Sequence, residues 1–360
     1  MKPYLLSLIV LFLLSCQDDQ KLDRTLSKVD IKPIFEDSTL SVRAIDFDKD
    51  YLYYGSADHI GKRAFKKKGL RVVGIKMGAG SIDFKHVITH ENEPLHFRAI
   101  ASTAENYFAI SIANPAKLYK ISKDENKPEL VYTEENEKVF YDSIDFWNDK
   151  EGIAMGDPTD GCISIIITRD GGDTWQKVSC DKLPKAEEGE AAFAASDTNI
   201  KIVGDKTWIA TGGKASRVLF SSDKGNTWKV YDTPIVQGKE TTGMYSMDFY
   251  DEKNGYAIGG DYTKAADSTA NKIRTDDGGK TWQLVAENQS PGYRSCVQYI
   301  PERGGKELIA VGFKGIDYSN DYGDTWKHLS DEGFYTVRFL NDSIAYAAGR
   351  GRISKLTFRE

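Results

Sequence analysis

Seven times in this chain a small residue is followed at once by an apolar one at the head of a strand-like run: Ala44-Ile45, Ala99-Ile100, Ser143-Ile144, Ala192-Phe193, Ser246-Met247, Ser295-Cys296 and Thr336-Val337. The pairs stand 55, 44, 49, 54, 49 and 41 residues apart, a recurrence that marks a repeat architecture. In a β-propeller the first strand of each blade runs beside a crowded central axis. One position there must be small while its neighbour, on the other sheet face, packs against the next blade. A second set of runs, at 51–55, 107–111, 152–156, 208–212, 256–259, 308–312 and 345–349, ends six times in Gly and once in Ser. Converging backbones near the axis leave room there for only the smallest side chains. Both sets predict an all-β fold, a seven-bladed β-propeller over residues 29–360.

A single hydrophobic core stops growing near roughly 250 to 300 residues, and a repeat array escapes that limit because each blade buries its faces against its neighbours. An apolar fraction of 40% therefore suffices, and 19 Tyr with 32 Gly suit twisted strands and tight turns. The net charge of −6 lacks a sustained basic run beyond Lys62-Arg63 and Lys66-Lys67-Lys68, which is read as a solvated turn. Nucleic acid is excluded as a partner, since counterion-release binding needs a basic face.

Residues 1–16 have the form of a leader: Lys2, an apolar stretch from Tyr4 to Leu14, then Ser15 and Cys16. The stretch is too short to span a bilayer. Leu13-Leu14-Ser15-Cys16 resembles a bacterial lipobox, which implies lipidation of Cys16 and membrane anchoring. Gln17-Asp18-Asp19-Gln20 resembles the acidic signal that exports some lipoproteins to the outer face of the outer membrane, with a periplasm-facing anchor as the alternative. Residues 17–28 would then form a polar tether.

Four hairpins, at 168–175, 221–228, 275–282 and 319–326, fit Ser/Thr-x-Asp-x-Gly-x-Thr-Trp. The residues that carry the motif are Asp170, Gly172 and Trp175; Asp223, Gly225 and Trp228; Asp277, Gly279 and Trp282; and Asp321, Gly323 and Trp326. This is the Asp box: the carboxylate accepts backbone N–H bonds in the turn, Gly supplies positive φ, and Trp plugs the hairpin base. These aspartates are assigned to turn stability rather than catalysis. A fifth copy, from Ser122 through Asp124 to Asn126, lacks the Gly and the Trp. The last repeat has room for three strands, so residues 29–35 are expected to supply its fourth and close the ring.

Seven repeats with Asp boxes on consecutive late blades resemble the photosystem II stability/assembly factor family and its non-photosynthetic bacterial relatives. The resemblance implies a scaffold or chaperone-like propeller that binds another protein through its channel mouth, with no reaction and no cofactor. Strand starts and ends on one rim gather Arg43, Arg98, Asp142, Asp157, Glu190, Tyr245, Asp261, Arg294, Lys314, Tyr335 and Arg350, a mixed charged funnel for a protein or a surface glycan. The enzyme alternative is a sialidase-like glycoside hydrolase. Arg43, Arg98 and Arg294 would grip a carboxylate, with Tyr245 or Tyr293 as nucleophile beside Glu190 and Asp142 as acid. Against it, sialidases carry Arg-Ile-Pro where this chain has Phe97-Arg98-Ala99-Ile100.

If Thr168 pairs with Thr174, Cys162 faces Cys180, and the two form either a cross-strand disulfide or two free thiols. Cys296 sits at a core position. His86, His90 and His96, with Glu91 and Glu93, are read as surface residues, because strand or loop spacing does not converge them on a metal.

Overall fold

A computed structural model describes residues 24–65 and 83–360. The leader with Cys16, most of the tether and Lys66-Lys67-Lys68 lie outside the described residues. Seven antiparallel sheets, each with four blade strands, follow one another around an axis. Blade 1 is built, from axis to periphery, of Ala44–Phe47, Tyr51–Gly55, His59–Ala64 and Asp83–Val87. Blades 2 to 6 repeat this order from inner strands Phe97–Ser102, Tyr141–Phe146, Ile200–Val203, Thr242–Phe249 and Cys296–Tyr299. On its inner edge the blade 5 sheet also takes up the short pair Gly212–Gly213 and Glu190–Ala191. Blade 7 takes Thr336–Phe339, Ile344–Ala348 and Arg350–Arg359 from the end of the chain and Lys28–Ser41 from its start. The closing strand is longer than expected, pairing Lys28 with Arg359 and Ser41 with Arg350.

Apolar faces of adjacent blades form the core. Between blades 2 and 3, Ala99, Phe108 and Ile110 meet Ile144, Ala154 and Trp175. Asp-box tryptophans close these seams: Trp282 meets Phe249 edge-on at 5.9 Å, and Phe249 stacks on Trp208 at 4.0 Å. All four boxes fall between the third and fourth strands of their blades. Asp277 accepts bonds from Thr275 Oγ1 (2.9 Å), Thr281 N (3.0 Å) and Thr281 Oγ1 (2.8 Å). Partial burial works against its charge, yet these donors hold the carboxyl below its usual range. The box glycines have a second duty. A Cβ on Gly172 would come within 2.2 Å of Phe108, and one on Gly323 within 2.1 Å of Tyr256, so a turn at φ +81° or +86° also makes room for the neighbouring blade.

Three expectations need correction. The inner strand of blade 4 begins at Ile200, not at Ala192-Phe193; residues 192–199 run into the channel instead. Lys62 is not on a solvated turn: it lies in the third strand of blade 1, 2% exposed. Its ammonium donates to Lys123 O (2.5 Å) and Asn126 Oδ1 (3.0 Å) in the degraded box of blade 2. Cys162 and Cys180 are joined, with Cα atoms 5.6 Å apart, but not through the expected register. The hairpin pairs Ile166 with Lys177 and Ile167 with Gln176, one residue off. The chain then leaves the sheet into a 3-10 turn, Cys180–Lys182, which carries Cys180 back to Cys162.

Candidate functional site

At one end of the channel the inner strands begin, and three of them carry a β-bulge there. The register slips between Phe97 and Ala99, between Tyr141 and Ser143, and between Met244 and Ser246. A bulge places two residues opposite one and re-aims a side chain, so Arg98, Asp142 and Tyr245 occupy equivalent places in blades 2, 3 and 5. Arg43 and Tyr335 immediately precede the inner strands of blades 1 and 7. The Arg43 guanidinium lies over the Tyr335 ring, 4.2 Å from its centroid. Burial holds Arg98 below its ordinary basicity, and the adjacent Arg43 charge adds to this.

The channel is plugged, which the sequence reading did not foresee. From Ala194 to Ile200 every residue is buried. Ser196 Oγ donates to Ser295 O in blade 6 (2.6 Å), while Thr336 Oγ1 in blade 7 donates to Ser196 O (2.9 Å). The Asp197 carboxylate accepts the Ile100 amide of blade 2 (2.9 Å) and the Ile144 amide of blade 3 (3.1 Å). Arg338 Nη2 donates to Asp197 O (2.8 Å), and Thr198 Oγ1 donates to Ser246 Oγ (2.7 Å) in blade 5. Asp197 holds φ 57°, a left-handed conformation that Asp tolerates better than most residues. Burial raises its carboxyl to about 8 despite the Arg338 charge and the two amides. The plug turns the near end of the channel into a closed-bottomed mouth.

Aromatic rings wall one side of that mouth. Phe193, on the plug segment, stacks on Tyr245 at 3.8 Å. Tyr245 meets Tyr293 edge-on at 4.7 Å, and Tyr293 reaches Phe313 at 5.4 Å and Tyr262 at 6.4 Å. Tyr262 and Phe313 are 48% and 41% exposed, so the wall ends in an apolar lip open to solvent.

The remaining rim residues divide by what they bond. Glu190 is held in a structural clamp: Arg217 binds it through Nε (3.1 Å) and Nη2 (2.6 Å), and Thr211 Oγ1 donates to it at 2.7 Å. Arg294 is 4% exposed and bound to Asp317 at 2.6 Å. Asp261 accepts from Thr263 N and Oγ1 (3.0 and 2.6 Å). Lys314 and Arg350 are exposed. The sialidase arrangement is therefore not assembled: Arg43 and Arg98 neighbour each other while Arg294 is withdrawn. Burial pushes the Tyr245 hydroxyl up, and it donates to Thr241 O (2.9 Å) rather than to a carboxylate. His86 is half-buried, His90 lies 3.1 Å from Lys117 Nζ, and His96 is exposed. Among the described residues no three His, Cys, Asp or Glu side chains are placed to hold a metal.

Beyond the plug a second cavity of about 220 Å³ contains Asp46, Asp145, Asp197 and Asp248 with Lys201 and Arg338. Lys201 pairs with Asp248 at 2.6 Å, and burial lifts Asp145 to about 6. A signal for this ring was present in the sequence and went unread: Ile45-Asp46-Phe47, Ile144-Asp145-Phe146 and Met247-Asp248-Phe249 place an aspartate at the same inner-strand position of alternate blades.

Sheet order, turn chemistry and the plugged mouth define a seven-bladed Asp-box β-propeller. Residues 273–284 match the BNR/Asp-box repeat family. The fold is similar to YCF48 bound to D1 peptide, with a TM-score of 0.64 at 13% identity over 93% of this chain and 98% of that one. It is also similar to YCF48 from Cyanidioschyzon merolae, with a TM-score of 0.60 at 10% identity over 92% and 98%. The RRP9 WD40 repeats share the architecture at 0.62 and 10% identity, over 92% of this chain and 98% of that one. In sequence, a xyloglucanase of a Paenibacillus species is 28% identical over 199 residues, 48% of this chain. This chain spans only 18% of that enzyme's length.

Proposed function

We propose that this protein is a non-catalytic docking scaffold, held at a membrane by a lipidated Cys16 and exposed on the bacterial outer membrane, that binds an extended polypeptide segment in its plugged mouth. One observation carries the reading: a closed-bottomed concavity whose aromatic lip stays open while Glu190, Arg294 and Tyr245 are tied into structural bonds. Tyr262 and Phe313 offer apolar contact area of the kind enriched at protein interfaces. Arg43 and Arg98 add positive charge beside it. The structural neighbour with a bound peptide supports a polypeptide ligand on this fold. A glycan ligand is the second reading, favoured by the partial likeness to a xyloglucanase.

The test uses residues 24–360 and a display library of random 12-residue peptides. The selected peptides should lose roughly tenfold or more in affinity for Tyr262→Ser/Phe313→Ser, as expected for removal of interface anchors. Unchanged affinity in that variant would refute the mouth as the docking site. Hydrolysis of sialyllactose or xyloglucan oligosaccharides that is abolished by Tyr245→Phe would refute the non-catalytic reading.

A further inference from the structure

Arg24 is clamped to the end of the propeller opposite the mouth. Its Nε donates to Glu307 Oε2 (3.0 Å), just before the second strand of blade 6. Its Nη1 and Nη2 donate to Ser343 Oγ (3.3 Å) and Asp342 O (2.5 Å), in the turn after the inner strand of blade 7. Asn320, in the Asp box of blade 6, donates to Arg24 O (3.4 Å) and Thr25 Oγ1 (3.3 Å). The Arg24 and Glu307 side chains are only 9% and 4% exposed, so this is a packed joint rather than a surface bridge. Inner strands begin at the mouth; the turns that follow them, and the Asp boxes that follow the third strands, therefore lie at the far end.

Exposed large apolar side chains among the described residues fall in three places. Tyr262 and Phe313 form the lip, Val87 and Leu130 lie on peripheral strands, and Tyr250, Tyr322 and Leu340 border the Arg24 joint. Tyr250 packs beside Gly305, where an added Cβ would stand 3.2 Å from its ring, and the Tyr322 amide donates to Lys306 O at 2.9 Å. Both tyrosines thus flank the loop that ends in Glu307, while Leu340 precedes Asp342 by two residues. Charges around them lean acidic, with Asp251, Glu252 and Glu302 against Lys253 and Lys306. Anionic headgroups gain nothing from such a surface, whereas tyrosine suits the boundary between headgroups and acyl chains.

Eight residue steps separate Arg24 from Cys16, a reach of at most about 29 Å when fully extended. We infer, resting on the lipidated Cys16 of the reading above, that Tyr250, Tyr322 and Leu340 seat the propeller on the bilayer surface, so that its mouth opens away from the membrane. So short a tether holds the patch against the bilayer at an effective concentration on the order of millimolar, and a contact too weak to form unaided is then occupied. A blade strand is roughly 20 Å long, which sets the least height of the mouth above the headgroups. The docked polypeptide is accordingly a segment that projects clear of the bilayer rather than one lying along it.

The experiment uses the full chain, purified from membranes of a bacterial host and reconstituted in phosphatidylcholine vesicles that carry a headgroup spin label. A fluorophore is placed at Lys253→Cys, beside Tyr250, or at Lys314→Cys, on the rim; Cys162 and Cys180 are bridged and Cys296 is buried, so the new thiol takes the label. With the two ends of a blade roughly 20 Å apart, the label at 253 should be quenched severalfold more than the label at 314. Tyr250→Ser/Tyr322→Ser/Leu340→Ser should bring the two close to parity while the lipid keeps the protein on the vesicle. Because the comparison of labels is made with the patch unaltered, it stands even if the triple variant folds poorly. Equal quenching, or stronger quenching at the rim, would overturn the seating and leave the anchor and the docking reading intact. A difference that survives the triple substitution would overturn these three residues as the seat. Protein that does not float with the vesicles would overturn the anchor and the seating with it.

Discussion

Replacing Asp197 with asparagine tests the plug through its dependence on pH. The wild-type carboxyl stands near 8 in the folded protein against an ordinary value of 3.8, so between these values the native state holds a proton that the unfolded chain has released. Stability contributed by this group is complete below about pH 4 and declines as pH rises toward 8. From pH 4 to pH 7 the decline amounts to about 4 kcal/mol, at roughly 1.36 kcal/mol for each tenfold change in proton activity. An asparagine side chain has nothing to titrate. It also presents an amide NH₂ to one of the two backbone N–H groups now bonded to Asp197, from Ile100 and Ile144, at a cost of ~1–3 kcal/mol. Guanidinium unfolding of wild type and Asp197→Asn at pH 5 and pH 7 reads both effects. At pH 5 the variant should be the less stable protein. Moving to pH 7 should cost the wild type more than the variant, narrowing or reversing the gap. A gap of equal size at the two pH values would refute the buried, protonated plug carboxyl.

Two further outcomes can be measured, one on a buried ion pair and one on the anchor. Arg217→Ala should destabilise by about 3–5 kcal/mol in denaturant unfolding, because it strands the Glu190 carboxylate, whose side chain is 0% exposed; a loss below about 1 kcal/mol would mean that the pair is an ordinary surface bridge. Cys16→Ala in the full chain should shift the protein from the membrane to the soluble fraction on fractionation, and persistence in the membrane would exclude a lipid anchor at that residue.

Blade number and turn chemistry were legible in the sequence because both are local and repeated. A small residue beside an apolar one, a Gly at a strand end and eight residues of Asp box each report on a few neighbours, and the repeated copies correct one another. The plug was illegible for the opposite reason. Residues 192–200, Ala-Phe-Ala-Ala-Ser-Asp-Thr-Asn-Ile, imitate the head of an inner strand, and only bonds to five other blades reveal that they leave the sheet. Glu190 failed similarly, since its partner Arg217 lies 27 residues on in the third strand of blade 4. For the cysteines, a one-residue error in register still placed the two thiols close together, because the 3-10 turn after the hairpin returns the chain. Arg98, Asp142 and Tyr245 recur at equivalent inner-strand positions, but the bulges that aim them depend on cross-strand pairing that spacing alone does not disclose.

Ring closure by Lys28–Ser41 against Arg350–Arg359 has a consequence for biogenesis. Entropy charges little for so long a loop, since the penalty grows only with the logarithm of its length, but the wait is long. Until the final 10-residue strand has emerged, blade 7 lacks its central seam and the first strand has no partner. A growing or translocating chain therefore carries open sheet borders on both flanks through most of its synthesis. Residues 350–359 are the ones that turn an adhesive arc into a sealed ring.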